Sequence, residues 1–333
     1  MLEPALSDSD LHRMTTHLET RPSRGRESLL AFVRWFDTWA GREDATVKSK
    51  GFDWVRVLPF ALLHLACGLV FFVGWSWVAV GVAFALYVVR MFAITGFYHR
   101  YFSHRAFKTS RPMQFVFAVM GASAVQRGPL WWAAHHRHHH QHSDDEQDIH
   151  SPMRNGFWWA HVGWITDRRN FKTRVERVPD LTRYPELCFL DRFDMLVPAL
   201  LFLSLFGLGA LLNAMNPSLG TSGFQMVVWG LISTIVLGHA TFTINSLSHL
   251  FGSRPYETTD TSRNNPWLAI LTLGEGWHNN HHYYQPSARN GFLWWEYDLT
   301  YYGLVVLKTL GLVWDLNPVP VKIVERRWQH LRK

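Results

Sequence analysis

Two short segments repeat one histidine pattern, HxxHH: His136, His139 and His140, then His278, His281 and His282. Residues at i, i+3 and i+4 share a helix face, so each triplet can aim its imidazoles at one point. Imidazole is mostly neutral near pH 7, and its lone pairs suit zinc, copper, iron or nickel. Asn245 and His249 form an i, i+4 pair, and His99 and His104 are five apart. Five residues turn an ideal helix through about 140° past a full turn, so a regular helix cannot aim both at one ion. Either the helix distorts there or each histidine serves a different metal. Nine histidines and one amide exceed one ion's needs and suit two. The two cysteines, Cys67 and Cys188, lie far apart and outside any CxxC, which excludes a thiolate site or disulfide framework. HExxH is absent. The carboxylate-bridged dimetal bundle takes two Glu-x-x-His motifs, and only Glu275-x-x-His278 is present. His12, His17, His64 and His330 show no pattern. His135, His138 and His142 fall off the ligand spacing, and His150, His161 and His239 read as supporting or structural.

The elements that must position these residues are apolar. Val57–Val89 contains no Asp, Glu, Lys or Arg. A span takes roughly 20 residues, so two spans are expected, at about 57–73 and 78–97, with Gly74–Val78 as the turn. Arg90 is the one charge of the second and either snorkels or is buried in protein. Two further spans are expected at about 195–212 and 224–243. Met113–Val125 is too short to cross and reads as a buried or re-entrant helix. Residues 156–164 read as an interfacial segment. Residues 29–40 carry apolar side chains at helical spacing, for a helix on the membrane surface or on the protein's own polar part.

The fold expected is all-α: an integral membrane protein with four transmembrane helices and a cytoplasmic helical cap carrying a dimetal site. Residues 1–50 form a polar extension, 51–318 the membrane domain and 319–333 a basic tail. Four spans place both termini on one side. Arg100, Arg105, Lys108, Arg111, the 168–177 cluster and the C-terminus are basic there, whereas the opposite loops lack Lys and Arg. The positive-inside rule then makes both termini and the metal site cytoplasmic. Unpaired cysteines agree with that reducing compartment. No signal-peptide pattern is present. The net charge is +7, and no nucleic-acid partner is expected.

HRYFSH, HRHHH, NSLSH and GEGWHNNHH, with FWWAHVGW and HLFGSRPY, give the chain its resemblance to a known family. From about residue 55 to 315 it resembles the membrane fatty acid desaturases, most closely the acyl-CoA delta-9 (stearoyl-CoA type) branch. That resemblance implies two iron ions on His99, His104, His136, His139, His140, His249, His278, His281 and His282, with Asn245 holding a metal-bound water. It implies dioxygen as co-substrate and a cis double bond placed in a saturated C16–C18 acyl chain. It also implies that Gln126, Trp132 and Thr241 line a bend in the acyl tunnel, and that Arg168 and Arg169 meet the carrier. That carrier is expected to be coenzyme A, with acyl carrier protein or a lipid-linked chain as the others. No haem-binding HPGG occurs, so a separate ferredoxin or cytochrome b-type donor with an NAD(P)H reductase is expected. Ile149 stands where the family usually has Pro, and Asn280 where an aromatic is commoner. Met91, eight residues before His99, lies about 12 Å deeper by helical rise and is expected to close the tunnel, favouring sixteen carbons over eighteen. Rival readings are a membrane alkyl or lipid hydroxylase on the same ligands and a histidine-rich metal transporter or sensor. A transport site belongs near the bilayer midplane, whereas these triplets sit in polar segments.

Overall fold

The computed structural model describes residues 24–40 and 51–331. Four helices are long and apolar enough to cross a membrane: Trp54–Val73, Trp77–Ser103, Leu196–Met215 and Pro217–Leu250. The first starts where Asp53 accepts from the Arg56 N–H, and its Trp54–Cys67 helix buries no residue, as suits a lipid-facing element. The second starts at Ser76, whose Oγ accepts from Ala79 N and donates to Gln225 Oε1 (2.7 Å). That bond fastens the far ends of the second and fourth spans. Gly209 lets the third and fourth spans close up: a Cβ there would lie 2.4 Å from the Ser222 carbonyl oxygen.

The second and fourth helices run past the expected ends at 97 and 243, to Ser103 and Leu250. Hydropathy marks where lipid stops, not where the helix stops. Here other protein segments cover the continuing turns, so Tyr98, His99, Ser246 and His249 are buried.

Around those ends lies a polar half built of shorter helices. The short apolar helix expected at 113–125 runs over Arg111–Ala122, capped by Ser110, with Phe117, Ala118 and Gly121 inside but Phe115 and Val116 exposed. Pro129–His142 carries the first triplet and starts with Pro at its first turn. Its cap comes from elsewhere in the chain: Asp191 accepts from the Trp131 N–H (2.7 Å). His278–Tyr283 carries the second triplet. The all-α expectation needs one amendment. Lys108–Thr109 pairs antiparallel with Val313–Trp314, tying the segment after the second span to the chain near its C-terminus. The pairing is only two residues long because Arg111 already opens the next helix.

The 29–40 segment docks on the protein through its C-terminal part. Helix Arg24–Val33 leaves Leu29 and Phe32 exposed. The turns after it dock on the protein, where Trp39 Nε1 donates to Asp191 (2.9 Å) and Asp37 pairs with Arg192 (2.7 Å). In the 156–164 segment, Trp158 is exposed and His161 buried around a π-turn at Trp159–Gly163. Most of the expected 1–50 extension, with His12 and His17, lies outside the described residues. Of the 319–333 tail, Val321–Leu331 is helical.

Candidate metal centre

The second span changes its winding as it reaches the polar half. Ala93–Ser103 is a π-helix, and His104 N–H donates to the His99 carbonyl (3.2 Å), five residues back. That wide turn brings residues five apart onto one face, which an α-helix cannot do. Of the two alternatives for His99 and His104, the helix distorts, and both join one group.

The histidines form two groups, within each of which the ligand atoms lie within 4.8 Å of one another. The first is His99, His104, His136, His140 and His281. The second is His139, His249, His278 and His282. All nine sequence candidates are in one or the other. The expectation that each triplet converges on a single point is corrected. Positions i and i+4 stand about 40° apart around a helix, while i+3 falls about 60° to the other side. His136 and His140 therefore face the first group and His139 the second. His278 and His282 face the second and His281 the first. Each triplet helix is a wall between the groups.

Within the first group the facing Nε2 atoms are 2.8 Å apart for His104–His136, 2.9 Å for His136–His140 and 3.0 Å for both His99–His281 and His140–His281. In the second, His249 and His278 are 3.1 Å apart. Two nitrogens at right angles about one ion, each bonded at about 2.0–2.1 Å, lie about 3 Å apart. Several rings are anchored from behind. His99 Nδ1 meets Glu275 (2.7 Å), His139 Nδ1 meets Asp148 (3.1 Å), His249 Nδ1 meets Asp144 (3.2 Å) and His282 Nδ1 meets Asp260 (2.5 Å). A carboxylate holds the proton on Nδ1 and leaves the Nε2 lone pair free. The Nε2 of His282 is buried with no hydrogen-bond partner. An orphaned lone pair beside three other imidazoles fits a transition metal, and the all-imidazole donor set suits iron or zinc.

Electrostatics keep most of these rings neutral. Burial, then neighbouring imidazoles, holds His104, His136, His140, His278 and His281 well below the usual histidine range. Burial brings His282 down to about 4. Burial would lower His139, but Asp148, with added charge from Asp144 and Asp260, moves it upward. Burial pushes the Asp260 and Glu275 carboxyls up, but hydrogen bonds and charge from His282, and from His99 and Arg100, leave both lower than usual.

A narrow cavity opens against both groups. It is lined by His99 and His136 of the first, His278 of the second, and by Met91, Trp132, Thr241 and Asn245. Gln126 donates to Thr241 Oγ1 (3.1 Å), so it supports the cavity wall. Arg168 and Arg169 are not among the lining residues. Arg168 donates to the Phe52 carbonyl and Arg169 is held by Asp167 (2.9 Å). A separate polar cleft of about 330 Å³ reaches His140 and His282.

Sequence reasoning missed the four carboxylates. Asp144 and Asp148 follow the first triplet closely, but no spacing pairs them with His249 and His139. Asp260 lies in a loop with no signal of its own. Glu275 stands three residues before His278, yet the ring it supports is that of His99. His150, read as supporting, forms a third possible group with His139 and Asp148. Among the unassigned histidines, His64 Nε2 meets His239 Nε2, His239 Nδ1 meets His161 Nε2, and His161 Nδ1 meets Ser246 Oγ, each at 3.0 Å. Using alternate nitrogens makes these a string rather than a chelate.

Four apolar helices leading into buried groups of imidazoles define a membrane protein built around a metal-binding centre. The profile of the fatty acid desaturase family matches residues 75–305, and the chain belongs to that family. It is 37% identical to the sn-1 stearoyl-lipid 9-desaturase of Synechocystis sp., over 89% of this chain and 90% of that one. It is 39% identical to the sn-1 stearoyl-lipid 9-desaturase of Anabaena variabilis, over 82% and 97%. It is 37% identical to the acyl-CoA C20 Delta5-desaturase of Anemone leveillei, over 84% and 89%. The protein is an oxidoreductase of the desaturase class.

Proposed function

We propose that the protein removes two hydrogens from a saturated C16–C18 acyl chain and leaves a cis double bond at the delta-9 position. The observation that carries this reading is a narrow cavity bordered by both histidine groups and reaching apolar Met91. Iron bound by His99, His104, His136, His140 and His281, and by His139, His249, His278 and His282, would supply with dioxygen and two electrons the oxidant that no side chain provides. The protein's own part is geometry. Trp132 and Thr241 hold one C–C bond of a threaded chain against His99, His136 and His278, and the narrowness of the passage fixes which bond that is. Asn245 offers its amide to a water beside the second group. The buried walls limit the water available for side reactions.

The metal centre and both termini are assigned to the cytoplasm, where a ferredoxin or cytochrome b-type protein with its NAD(P)H reductase would deliver electrons. The carrier is assigned as coenzyme A, met by Arg168 and Arg169. A lipid-linked chain is the second reading. It is favoured by the acyl-lipid names of two of the relatives above and by the engagement of Arg169 with Asp167.

The test is a fatty-acid profile of a host expressing the chain, with His281→Ala as control, resolved into acyl-CoA and lipid fractions. New delta-9 monoenes that vanish in the control are expected. Hydroxy acids in place of monoenes would turn the assignment to the hydroxylase. Unchanged lipids with reduced metal uptake in a His136→Ala strain would turn it to the transporter.

A further inference from the structure

Below Met91 the second span carries a buried charge. Arg90 is 1% exposed, inside a helix long and apolar enough to span the bilayer. Among the described residues no acidic group pairs with it. Its guanidinium instead donates to Thr234 Oγ1 (2.7 Å), Ser233 Oγ (2.8 Å), the Ser123 carbonyl (3.3 Å) and the Leu86 carbonyl (3.1 Å). Ser233 and Thr234 belong to the fourth span, and Ser123 closes the helix Arg111–Ala122. Arg90 thus ties three elements together at one level.

That level lies deeper along both spans than the residues that line the cavity. The cavity lies between the second span at Met91, Ile94, Thr95 and His99 and the fourth at Thr241, Ile244 and Asn245. Helical side chains lean toward the N-terminus, which on the second span is away from the histidines. The bond from Arg90 Nε to the Leu86 carbonyl, one turn back, follows that direction. On the fourth span, Thr234 is seven residues before Thr241, the same face about 10 Å deeper. Met91, fully buried, is the cavity-lining residue of the second span nearest in sequence to this crossbar.

We propose that Arg90, with Ser233, Thr234 and Ser123, is the fixed floor of the acyl cavity and sets the longest chain the enzyme accepts. Met91 above it is a compressible filler that sets the preferred length. The inference rests on the desaturase reading. A methyl terminus can displace a thioether, which has several rotamers and no hydrogen bonds to lose. To pass the crossbar it would have to break bonds from a buried guanidinium inside an apolar span.

The experiment supplies a host with saturated acids of 14 to 22 carbons and measures chain length and bond position in the monoenes. The chains compared are the wild type, Met91→Ala, Arg90→Met and Thr234→Val. Met91→Ala should move the optimum toward longer chains without admitting the longest acids. Arg90→Met should admit them, raising the longest-to-shortest product ratio at least about 10-fold, the effect of roughly one accommodated methylene. The bond position counted from the carboxyl should not move. Thr234→Val, which keeps the charge and removes one acceptor, should shift the ratio the same way by less.

Thermal stabilisation of the purified proteins by the same acids should show the same cut-offs without turnover. Wild-type cut-offs in both Arg90→Met and Thr234→Val would overturn the floor, and if Arg90→Met fails to accumulate, Thr234→Val alone decides. A wild type that makes no monoene would overturn the desaturase reading, and this inference with it.

Discussion

Asp260→Asn separates the two histidine groups. Asp260 accepts from His282 Nδ1 (2.5 Å), Ser262 N (2.9 Å) and Thr258 Oγ1 (2.9 Å). The asparagine carbonyl can replace the oxygen that serves Ser262 and Thr258. Its NH₂ then faces His282 Nδ1, which must accept rather than donate. The ring proton moves to Nε2, the nitrogen that lies buried without a partner among His139, His249 and His278. A protonated Nε2 cannot bind metal. Loss of such a carboxylate support weakens metal binding about 10- to 100-fold, or about 1.4–2.7 kcal/mol. The first group gains no defect, because none of its five members touches Asp260 among the contacts described. The assay is metal content per chain by mass spectrometry across a chelator titration, beside monoene formation. Half the metal should leave at 10- to 100-fold lower chelator, with product formation falling in step. Metal content and activity that follow the wild type at every chelator concentration would refute the reasoning, because His282 would then need no tautomer control.

Asp191→Ala removes one carboxylate from Trp131 N, Thr173 Oγ1 and Trp39 Nε1. At about 1–3 kcal/mol per buried donor left unpaired, it should lower the unfolding midpoint in detergent markedly, and an unchanged midpoint would count against the borrowed cap. Gly121→Ala would place a methyl 2.0 Å from the Tyr98 ring, and a cost of about 1–3 kcal/mol is expected in the same assay. Stripping bound metal with a chelator should also destabilise the protein, by about 2.7 kcal/mol relative to metal at a hundred times its dissociation constant. Added iron(II) should restore the midpoint, and a melting curve indifferent to metal would argue that the groups are preformed and empty in function.

The four long apolar helices and the nine histidines were legible because each rests on local spacing. Hydropathy needs only a run of residues, and HxxHH needs only a helix. The division of each triplet between two groups was not legible. It depends on which side of the helix each neighbour occupies, and that is set by distant segments such as 245–250 and 274–283. The carboxylates Asp144, Asp148 and Asp260 escaped for the same reason, since their partners are fixed by packing rather than by register. Arg90 was recognised as out of place, but its four acceptors come from three elements that no pattern connects. His99 and His104 are the instructive case: the spacing that broke the helical rule marked the place where the helix itself departs from α.

The π-winding of Ala93–Ser103 has a consequence for how this chain tolerates change in length. A π-turn holds one residue more than the α-turn it replaces. Deleting a single residue between His99 and His104 would let the segment relax to an ordinary helix without breaking a bond or burying a new charge. The two histidines would then stand four apart, which on an ordinary helix is again one face. The surplus residue and the wide winding therefore compensate one another. A change that straightened the winding at constant length would instead turn His99 and His104 about 140° apart and take one of them out of the first group. In this family member the pairing is guarded by the match of length to winding, and the two features tolerate loss together but not singly.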